Sequence, residues 1–289
     1  MTTMKERIRE NTPGMIVTMS HADFSKLKEF IHAESGIKIT DVKKTMLEGR
    51  LQKRLRSLGM ESFTQYCNYL FSPQGIENEL SNMIDQVTTN KTDFFREPAH
   101  FHYLVSKVIP DIVRSKKNIM VWSAGCSSGE EPYTLAMVMK EYVETEEERI
   151  NFLILATDIS TKVLEKARYA VYEYEKVAPI SSVLQRKYLL RSKDRTKNLY
   201  RVTPELRKHV QFRRLNFMDD DFGFREEIDV IFCRNVVIYF DKPTQEKLLN
   251  KFCTCLAPNG HIFMGHSETL LGMDVPLDQV APTVYRRRK

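Results

Sequence analysis

A glycine turn followed by two acidic residues is the part of this sequence best suited to chemistry. The stretch WSAGCSSGEEPY, residues 122–133, follows the apolar run 119–121 and precedes the helix-like run 134–139. A strand, a tight turn and a helix in this order form a ligand-binding corner in many α/β sheets. Gly125 and Gly129 give the turn the backbone freedom it needs, but their spacing lacks the dinucleotide fingerprint. A purely structural turn is the alternative for these two glycines.

The acidic residues of this region indicate which ligand it would accept. Glu130 and Glu131 lie where a pyrophosphate would bind at a helix N terminus, and their charge disfavours phosphate. They suit an ammonium or hydroxyl group instead. Asp158 ends the next predicted strand, in ATDIS, where an acid accepts hydrogen bonds from a ribose diol. A cofactor with a ribose and an amino group but no phosphate satisfies both positions, and S-adenosylmethionine is such a molecule.

Polar residues at two further strand ends agree with a ligand at this edge of a sheet. Asn216 follows a predicted strand in FRRLNFMDDDF, and Arg234 and Asn235 interrupt the apolar stretch DVIFCRNVVIYFD. Ligands of open α/β sheets bind at the carboxyl ends of the strands. Asn216 can instead be an ordinary turn or cap residue. Tyr239 either packs its ring or reaches the site with its hydroxyl.

The stretch TTNKTDFFRE, residues 88–97, has an unusual composition for a connection between domains. Two adjacent phenylalanines lie among the polar residues Asn90, Thr92 and Arg96. An anchored segment lying across a pocket explains this mixture better than a loose tether does. Docking of a helical domain on the sheet is the alternative role of the phenylalanines.

The elements that must position these residues change in type along the chain. Residues 1–88 contain helical patterns only, whereas strands and helices alternate after residue 100, which predicts a doubly wound sheet of mostly parallel strands. The region from about 172 to 209 is too long for one crossover and contains two short β-like runs, so we predict a small inserted β-element. The predicted strands are 119–123, 152–157, 210–215, 230–233, 262–265 and 284–286.

Composition excludes several classes of protein. The 289 residues are 42% apolar and 28% charged, as in ordinary globular proteins. No apolar run approaches the ~20 residues of a membrane helix, and the first residues are charged where a secretory signal is apolar, so a cytoplasmic location is expected. The cysteines and histidines show neither a Cys-x-x-Cys pair nor a zinc-finger spacing, which predicts no disulfide framework and no metal site.

The net charge of +6 is unevenly distributed. The helical pattern of residues 43–58 places leucines on one stripe and the basic residues Arg50, Lys53 and Arg56 away from it. A second region, residues 186–214, contains eleven lysines and arginines. Two basic regions favour an acidic macromolecular partner, with an ordinary solvated surface as the alternative.

Taken together, the motifs resemble those of the CheR family of chemotaxis methyltransferases. The resemblance runs from about Phe24 to about Tyr285 and rests on a helical amino-terminal region, TTNKTDFFRE, VWSAGCSSGEEPY, ATDIS, LNFMD, IFCRNVVIYFD and GHSE. It implies an α/β class I S-adenosylmethionine-dependent methyltransferase fold with an amino-terminal all-helical domain and a small inserted β-subdomain. The implied domains are 1–88, which includes a basic substrate-recognition helix at 43–58, a linker at 89–99 that contributes to the cofactor site, and a methyltransferase domain at 100–289.

The resemblance also implies a reaction and a set of site residues. Methyl groups would pass from S-adenosylmethionine to glutamate side chains on the cytoplasmic helices of transmembrane chemoreceptors, leaving S-adenosylhomocysteine. Arg96 and Tyr239 are the candidates near the reacting groups, and Arg50, Lys53 and Arg56 would attract the acidic receptor. The implied cofactor-binding residues are Asn90, Thr92, Arg96, Glu131, Asp158, Asn216, Phe217, Arg234 and Asn235.

One departure and two alternatives accompany this interpretation. The insert contains RSKDRTKN and lacks the glycine-rich loop that the resemblance implies for members that dock on a receptor tail peptide, so tail docking is not expected. A nucleic-acid methyltransferase is the first alternative, but the basic insert lacks interleaved exposed aromatic residues for base stacking, and no nucleic-acid partner is expected. A non-catalytic sensor of the cofactor is the second alternative.

Overall fold

Apolar residues at helical spacing fold the amino-terminal part of the chain into short helices. The structure is a computed structural model that describes residues 17–147 and 149–288. These residues form two compact units, one of 17–30 with 39–87 and the other of 31–38 with 88–288. The amino-terminal helices are α1 (His21–Ser35), α2 (Lys44–Ser57), α3 (Phe63–Leu70), α4 (Pro73–Asn78) and α5 (Leu80–Val87), with a 3₁₀ turn at Asp41–Lys43 before α2.

The basic helix α2 buries one face and exposes another. Leu47, Leu51 and Leu55 form its buried stripe, as the helical spacing predicted.

The sequence pattern over residues 76–89 predicts one helix, but these residues form the end of α4 and the whole of α5, with Glu79 between them. The buried Glu79 carboxylate accepts hydrogen bonds from Arg54 Nε at 2.8 Å and the Tyr66 hydroxyl at 3.0 Å. These bonds satisfy an acid that would otherwise be costly to bury.

The second unit is built on a seven-stranded sheet, whose strands are β1 (Asn118–Ala124), β2 (Asn151–Asp158), β6 (Val210–Arg214), β7 (Ile228–Cys233), β8 (Leu256–Met264), β9 (Leu277–Ala281) and β10 (Val284–Arg287). Their spatial order is β6-β2-β1-β7-β8-β10-β9. The pairs β6–β2, β2–β1, β1–β7 and β7–β8 are parallel, whereas β10 is antiparallel to both of its neighbours. The mostly parallel, doubly wound sheet predicted from the sequence is therefore confirmed.

Helices cover both faces of this sheet. Alternate residues of a strand point to opposite faces, so Val121 of β1 lies in one apolar cluster and Trp122 in the other. A π-helical segment at Leu104–Val108 connects the first two of these helices. Within the described residues, no helix has the length and apolar content to cross a bilayer. The helices of the sheet layer are α6 (Pro98–Tyr103), α7 (Ile109–Val113), α8 (Glu130–Thr145), α9 (Thr161–Tyr169), α12 (Pro204–Arg207) and α13 (Lys242–Cys255).

The predicted insert forms a separate antiparallel sheet, in which β5 (Leu199–Val202) lies between β3 (Val171–Glu173) and β4 (Leu189–Arg191). Strands β4 (Leu189–Arg191) and β5 (Leu199–Val202) coincide with the two predicted runs. The sequence pattern missed β3 (Val171–Glu173), α10 (Tyr174–Val177) and α11 (Ser182–Tyr188). Such short elements carry too few residues for a clear period.

Strand β9 at the sheet edge was not predicted either. Two of its five residues, Asp278 and Gln279, are exposed, so it lacks the apolar character of the inner strands. It exists because β10 pairs with it in an antiparallel register across a turn at 282–283. Pairing of this kind is decided by the neighbouring strand and not by local composition.

Candidate active site

The glycine turn between β1 and α8 is held by the end of the neighbouring strand. The N–H groups of Gly125 and Cys126 both donate to the Thr157 carbonyl oxygen, at 2.8 and 2.9 Å. Gly125 and Gly129 have φ values of 83° and 98°, which glycine adopts without strain. A Cβ atom at Gly125 would lie 2.6 Å from Val236 Cγ2. Both the turn conformation and the close packing against Val236 therefore require glycine at position 125. This structural role does not depend on a ligand.

Asp158 lies at the carboxyl end of β2, directly beside this turn. Its Oδ2 accepts a hydrogen bond from the Ser127 N–H at 2.8 Å, and its Oδ1 accepts one from the Ser160 N–H at 2.9 Å. The residue is 8% exposed. Two backbone groups thus fix a carboxylate at the strand end where a ribose diol binds in folds of this kind.

Glu131 and Arg234 form a buried ion pair. Arg234 Nε donates to Glu131 Oε2 at 2.7 Å, and the Ser123 hydroxyl donates to Glu131 Oε1, also at 2.7 Å. The Arg234 side chain is 2% exposed. The structure therefore brings together two of the predicted cofactor residues, but it gives Glu131 a cationic partner within the protein that the sequence did not indicate.

Arg234 has further partners around its guanidinium group. Its Nη1 donates to the Arg96 carbonyl oxygen at 2.6 Å, and its Cζ lies 5.0 and 5.5 Å from the ring centroids of Phe101 and Phe232. Such cation–π contacts are favourable, and more so when the cation is shielded from water. Burial of the His100 imidazole lowers its pKa to about 4, and the positive charge of Arg234 contributes to the same shift.

The segment of residues 88–97 is anchored along its length. The Asn90 carbonyl oxygen accepts from the Ser127 hydroxyl at 2.9 Å, and the Thr92 carbonyl oxygen accepts from Lys176 Nζ at 2.8 Å. Phe94 is buried and packs edge-on against the Tyr172 ring, with 5.0 Å between centroids. These contacts place the segment against the glycine turn and the inserted subdomain.

Asn216, Phe217 and Tyr239 make contacts within the protein. Asn216 Nδ2 donates to the Glu34 carbonyl oxygen at 2.6 Å, and its Oδ1 accepts from the Met218 N–H at 3.1 Å. Phe217 is buried in the second apolar cluster, and the half-buried Tyr239 packs against the same cluster. These contacts agree with Asn216 as a turn residue and with Tyr239 as a residue whose ring packs in the core. Direct roles of Asn216 and Tyr239 at the cofactor or in the reaction remain predictions.

Glu268, in the GHSE motif, is a site residue whose role sequence reasoning missed. It is 4% exposed. Its carboxylate accepts hydrogen bonds from four backbone N–H groups, at distances of 2.6–3.4 Å. Burial raises the pKa of the Glu268 carboxyl group, and these four N–H groups oppose that rise. The donors are the N–H groups of Asn235, Val236, Ile238 and Gly265.

These bonds fix the loop after β7 that carries Asn235. Asn235 has a φ of 60°, which is costly for most residues but less so for asparagine. A Cβ atom at Gly265 would lie 2.5 Å from Asn235 Nδ2, so only glycine permits this approach. The one signal in the sequence was an acid shortly after the end of a strand, and its backbone partners could not be known from it.

The residues at this edge fit a cofactor with hydroxyl and ammonium groups. The carboxylates of Asp158 and Glu130 accept hydrogen bonds from Ser127 and Ser128 of the glycine turn, and Glu131 lies in the first turn of the helix that follows it. Phosphate sites instead offer N–H groups and positive charge. The antiparallel β10 lies between β8 and the edge strand β9. This sheet, with an acidic residue at the end of its second strand, defines a class I S-adenosylmethionine-dependent methyltransferase.

Comparison with known proteins identifies the family. Residues 90–285 match the family described as CheR methyltransferase, SAM binding domain, and residues 22–88 match CheR methyltransferase, all-alpha domain. The chain belongs to the CheR methyltransferase family.

Similar proteins cover nearly the whole chain. A chemotaxis protein methyltransferase of Borreliella burgdorferi is 39% identical over 96% of this chain and 98% of that protein. The chemotaxis protein methyltransferase of Escherichia coli K12 is 37% identical over 94% of this chain and 93% of its own. Chemotaxis protein methyltransferase 2 of Pseudomonas aeruginosa is also 37% identical, over 91% and 92%.

We predict that Glu268→Gln weakens binding of S-adenosylmethionine about tenfold, which corresponds to about 1.4 kcal/mol. The amide keeps the size of the side chain but turns one acceptor into a donor that faces backbone N–H groups, so the Asn235 loop loses its support. Calorimetric titration of the folded variant measures the affinity. Ser267→Ala, at an exposed neighbour, is the control and should bind normally. Normal affinity in Glu268→Gln would show that the loop does not need this carboxylate.

Proposed function

We propose that this protein transfers methyl groups from S-adenosylmethionine to glutamate carboxylates of chemoreceptors and forms glutamate methyl esters. The observation that carries the proposal is that both the all-helical part and the cofactor-binding part match the CheR family. Relatives named chemotaxis protein methyltransferases agree with both parts over more than nine-tenths of this chain. A substrate on the cytoplasmic side of a receptor would place the reaction in the cytoplasm.

The proposed cofactor roles follow from the contacts at the sheet edge. Asp158, held by two backbone N–H groups, accepts from the ribose diol. Glu131 binds the amino group and is held by Ser123 and Arg234. We assign the remaining cofactor contacts to Asn90, Thr92, Arg96, Asn216, the backbone of Phe217, Arg234 and Asn235.

The proposed reaction needs little acid–base chemistry from the protein. A glutamate side chain has an ordinary pKa of about 4.3, so it is ionised at neutral pH and needs no general base. The bound cofactor supplies an activated methyl group on a sulfonium. The protein must align the carboxylate oxygen with that methyl group and exclude water, and alignment alone can contribute about 7 kcal/mol or more.

Arg96 and Tyr239 are the residues that we propose beside the reacting groups. Arg96 is half-buried, and its Nη1 donates to the Lys91 carbonyl oxygen at 3.3 Å, which leaves other donors of the guanidinium to bind a carboxylate. Either the methionine carboxylate of the cofactor or the incoming glutamate fits that role.

The exposed charges of α2 support electrostatic capture of an acidic receptor. Lys53 and Arg56 are exposed, whereas Arg50 is half-buried and donates to the Val87 carbonyl oxygen at 2.5 Å. Exposed charges act over about 8–10 Å at physiological salt and mainly speed encounter. We therefore assign the main part of this attraction to Lys53 and Arg56, with Arg50 as a lesser contributor.

The basic insert gives less support to the nucleic-acid alternative than its composition suggested. Lys187 pairs with Glu141 at 2.6 Å and with Glu144 at 2.5 Å, and Lys208 pairs with Glu205. These acids neutralise part of the positive charge of residues 186–214, which weakens the case for phosphate binding.

We also propose that the insert does not bind a receptor tail peptide. The missing glycine does not by itself exclude strand addition, because Asn198 supplies a left-handed backbone position between β4 and β5, with a φ of 42°. What supports the proposal is that the edge strand β4 has only three residues and ends at Arg191. Very short edge strands are poor templates for strand addition.

The central test is transfer of labelled methyl groups to membranes that contain chemoreceptors. We expect a product that releases methanol in mild alkali, as a carboxyl ester does. An alkali-stable product, or label in nucleic acid, would contradict the proposal.

The role of Asp158 is tested by measuring cofactor affinity. Asp158→Ala should weaken cofactor binding by more than tenfold because the diol loses its acceptor, while Glu165→Ala, at an exposed acid of α9, should not.

The role of α2 is tested by replacing both Lys53 and Arg56 with alanine. The apparent KM for receptor should rise about three- to tenfold at low salt, and its salt dependence should flatten, because two exposed charges that attract the acidic substrate are lost. Cofactor affinity should not change. The matched control removes Lys107 and Arg114, which are exposed and precede β1. The same KM in both double variants at every ionic strength would remove α2 from substrate capture.

The absence of tail docking is tested with the isolated carboxyl-terminal peptide of a receptor. Titration against the full chain should show no saturable binding up to about 100 μM, which corresponds to less than about 5.5 kcal/mol of binding free energy. Removing the tail from the receptor should leave the methylation rate unchanged. Micromolar binding of the peptide would show that β4 accepts an added strand in spite of its short length.

A further inference from the structure

Glu97, His100 and His266 come together although they are far apart in the sequence. Glu97 and His100 lie at the start of α6, and His266 follows the end of β8. One ligand atom from each lies within 4.8 Å of the others. The sequence predicted no metal site because its histidines and cysteines lacked a recognised spacing, and only the packing of α6 beside β8 brings these three side chains together.

The hydrogen bonds of His100 determine which ring nitrogen is an acceptor. Its Nε2 lies 2.9 Å from Thr283 Oγ1, and the Thr283 hydroxyl donates to the Pro282 carbonyl oxygen at 2.8 Å. Because that hydroxyl has only one proton, Nε2 must be the donor to Thr283. In the neutral imidazole, Nδ1 then carries a lone pair.

This lone pair faces a carboxylate. His100 Nδ1 lies 3.3 Å from Glu97 Oε2, so two acceptors lie close together and require a positive group between them. Arg234 Nη1 is 3.4 Å from the nitrogen and 3.5 Å from the oxygen, which is long for hydrogen bonds. Its short bond is to the Arg96 carbonyl oxygen. The other oxygen of Glu97 accepts one long hydrogen bond, from the His266 backbone N–H at 3.4 Å, so the Glu97–His100 pair is only weakly satisfied by the protein.

His266 supplies a third ligand atom that solvent can reach. Its Nδ1 is 4.0 Å from Glu97 Oε1, and its side chain is 64% exposed. Ligand atoms about 2.1 Å from a tetrahedral ion are about 3.4 Å apart. The exposed ring can make the small movement that this requires.

We propose that Glu97, His100 and His266 form a binding site for a transition-metal ion, with Zn²⁺ as the ion of choice. Two imidazole nitrogens and one carboxylate, with a fourth position open to water, are a common zinc ligand set. A ligating histidine normally donates its other N–H to a neighbouring group, as His100 does to Thr283. Mg²⁺ prefers oxygen ligands in an octahedral arrangement and does not suit this site.

Metal binding here acts against the active site. The ion would bind the two acceptors that Arg234 Nη1 contacts, and like charges this close repel strongly where water is excluded. Arg234 holds Glu131, so a displaced guanidinium disturbs the proposed site of the cofactor amino group. Bound Zn²⁺ is therefore inhibitory.

The experiment is a Zn²⁺ titration of the untagged full chain in competition with a chromophoric chelator. His266→Ala should weaken Zn²⁺ binding at least 10- to 100-fold, since even the loss of a supporting residue costs that much at a metal site. The control is His102→Ala, at an exposed histidine of α6 outside the cluster, and it should bind as the unchanged protein does. The absorbance of the chelator reports this binding without any measurement of enzyme activity, so failure of the proposed methylation does not affect it.

Cofactor affinity provides the second measurement. Zn²⁺ should weaken S-adenosylmethionine binding at least fivefold in the unchanged protein and in His102→Ala, but not in His266→Ala, and Mg²⁺ should have no effect. Equal Zn²⁺ affinity in the unchanged protein and His266→Ala, or no binding at 100 μM Zn²⁺, would overturn the site. Zn²⁺ binding that requires His266 but leaves cofactor affinity unchanged would overturn its inhibitory action.

Discussion

The buried charge of Arg234 is the constraint on which the arrangement of the active-site edge depends. Burying an unpaired cation is costly by several kcal/mol, so the fold must supply partners from whichever elements are near. Glu131 supplies the counter-charge from the first turn of α8, and the Arg96 carbonyl oxygen supplies an acceptor from the segment before α6. One side chain at the end of β7 thus links the sheet to a helix and to the 88–97 segment.

Carboxylates fix the other loops at this edge by accepting hydrogen bonds from backbone N–H groups. Asp158 binds the glycine turn and the loop after β2, and Glu268 binds the loop after β7 and the end of β8. Hydrogen bonds from several N–H groups stabilise a charged acceptor and hold the donors in one conformation. Acids that suit a polar cofactor are therefore also the acids that shape its surroundings, and removing one changes both.

The limited number of hydrogen-bond donors on Arg234 explains why its neighbourhood can accept a metal ion. Glu97 and His100 are drawn to the buried guanidinium, yet the best donors of Arg234 are already used by Glu131 and Arg96. Glu97 and His100 are therefore acceptors that are only partly satisfied, and the exposed imidazole of His266 lies next to them. A cation that competes with Arg234 can bind all three. Binding at this place and the integrity of the cofactor site are then opposed through a single side chain.

The sequence by itself determined the features that depend on local spacing. Strand and helix periods predicted the parallel sheet and the leucine stripe of α2, the glycine turn was evident from its composition, and the ordered motifs identified the family. Partners far apart in the chain were decided only by the tertiary structure. Glu131 faces Arg234, Glu268 faces four backbone N–H groups, and His266 faces Glu97 because strands and helices bring them within hydrogen-bond or ligand distance. No spacing encodes such contacts, since a side chain's partner depends on which elements pack together.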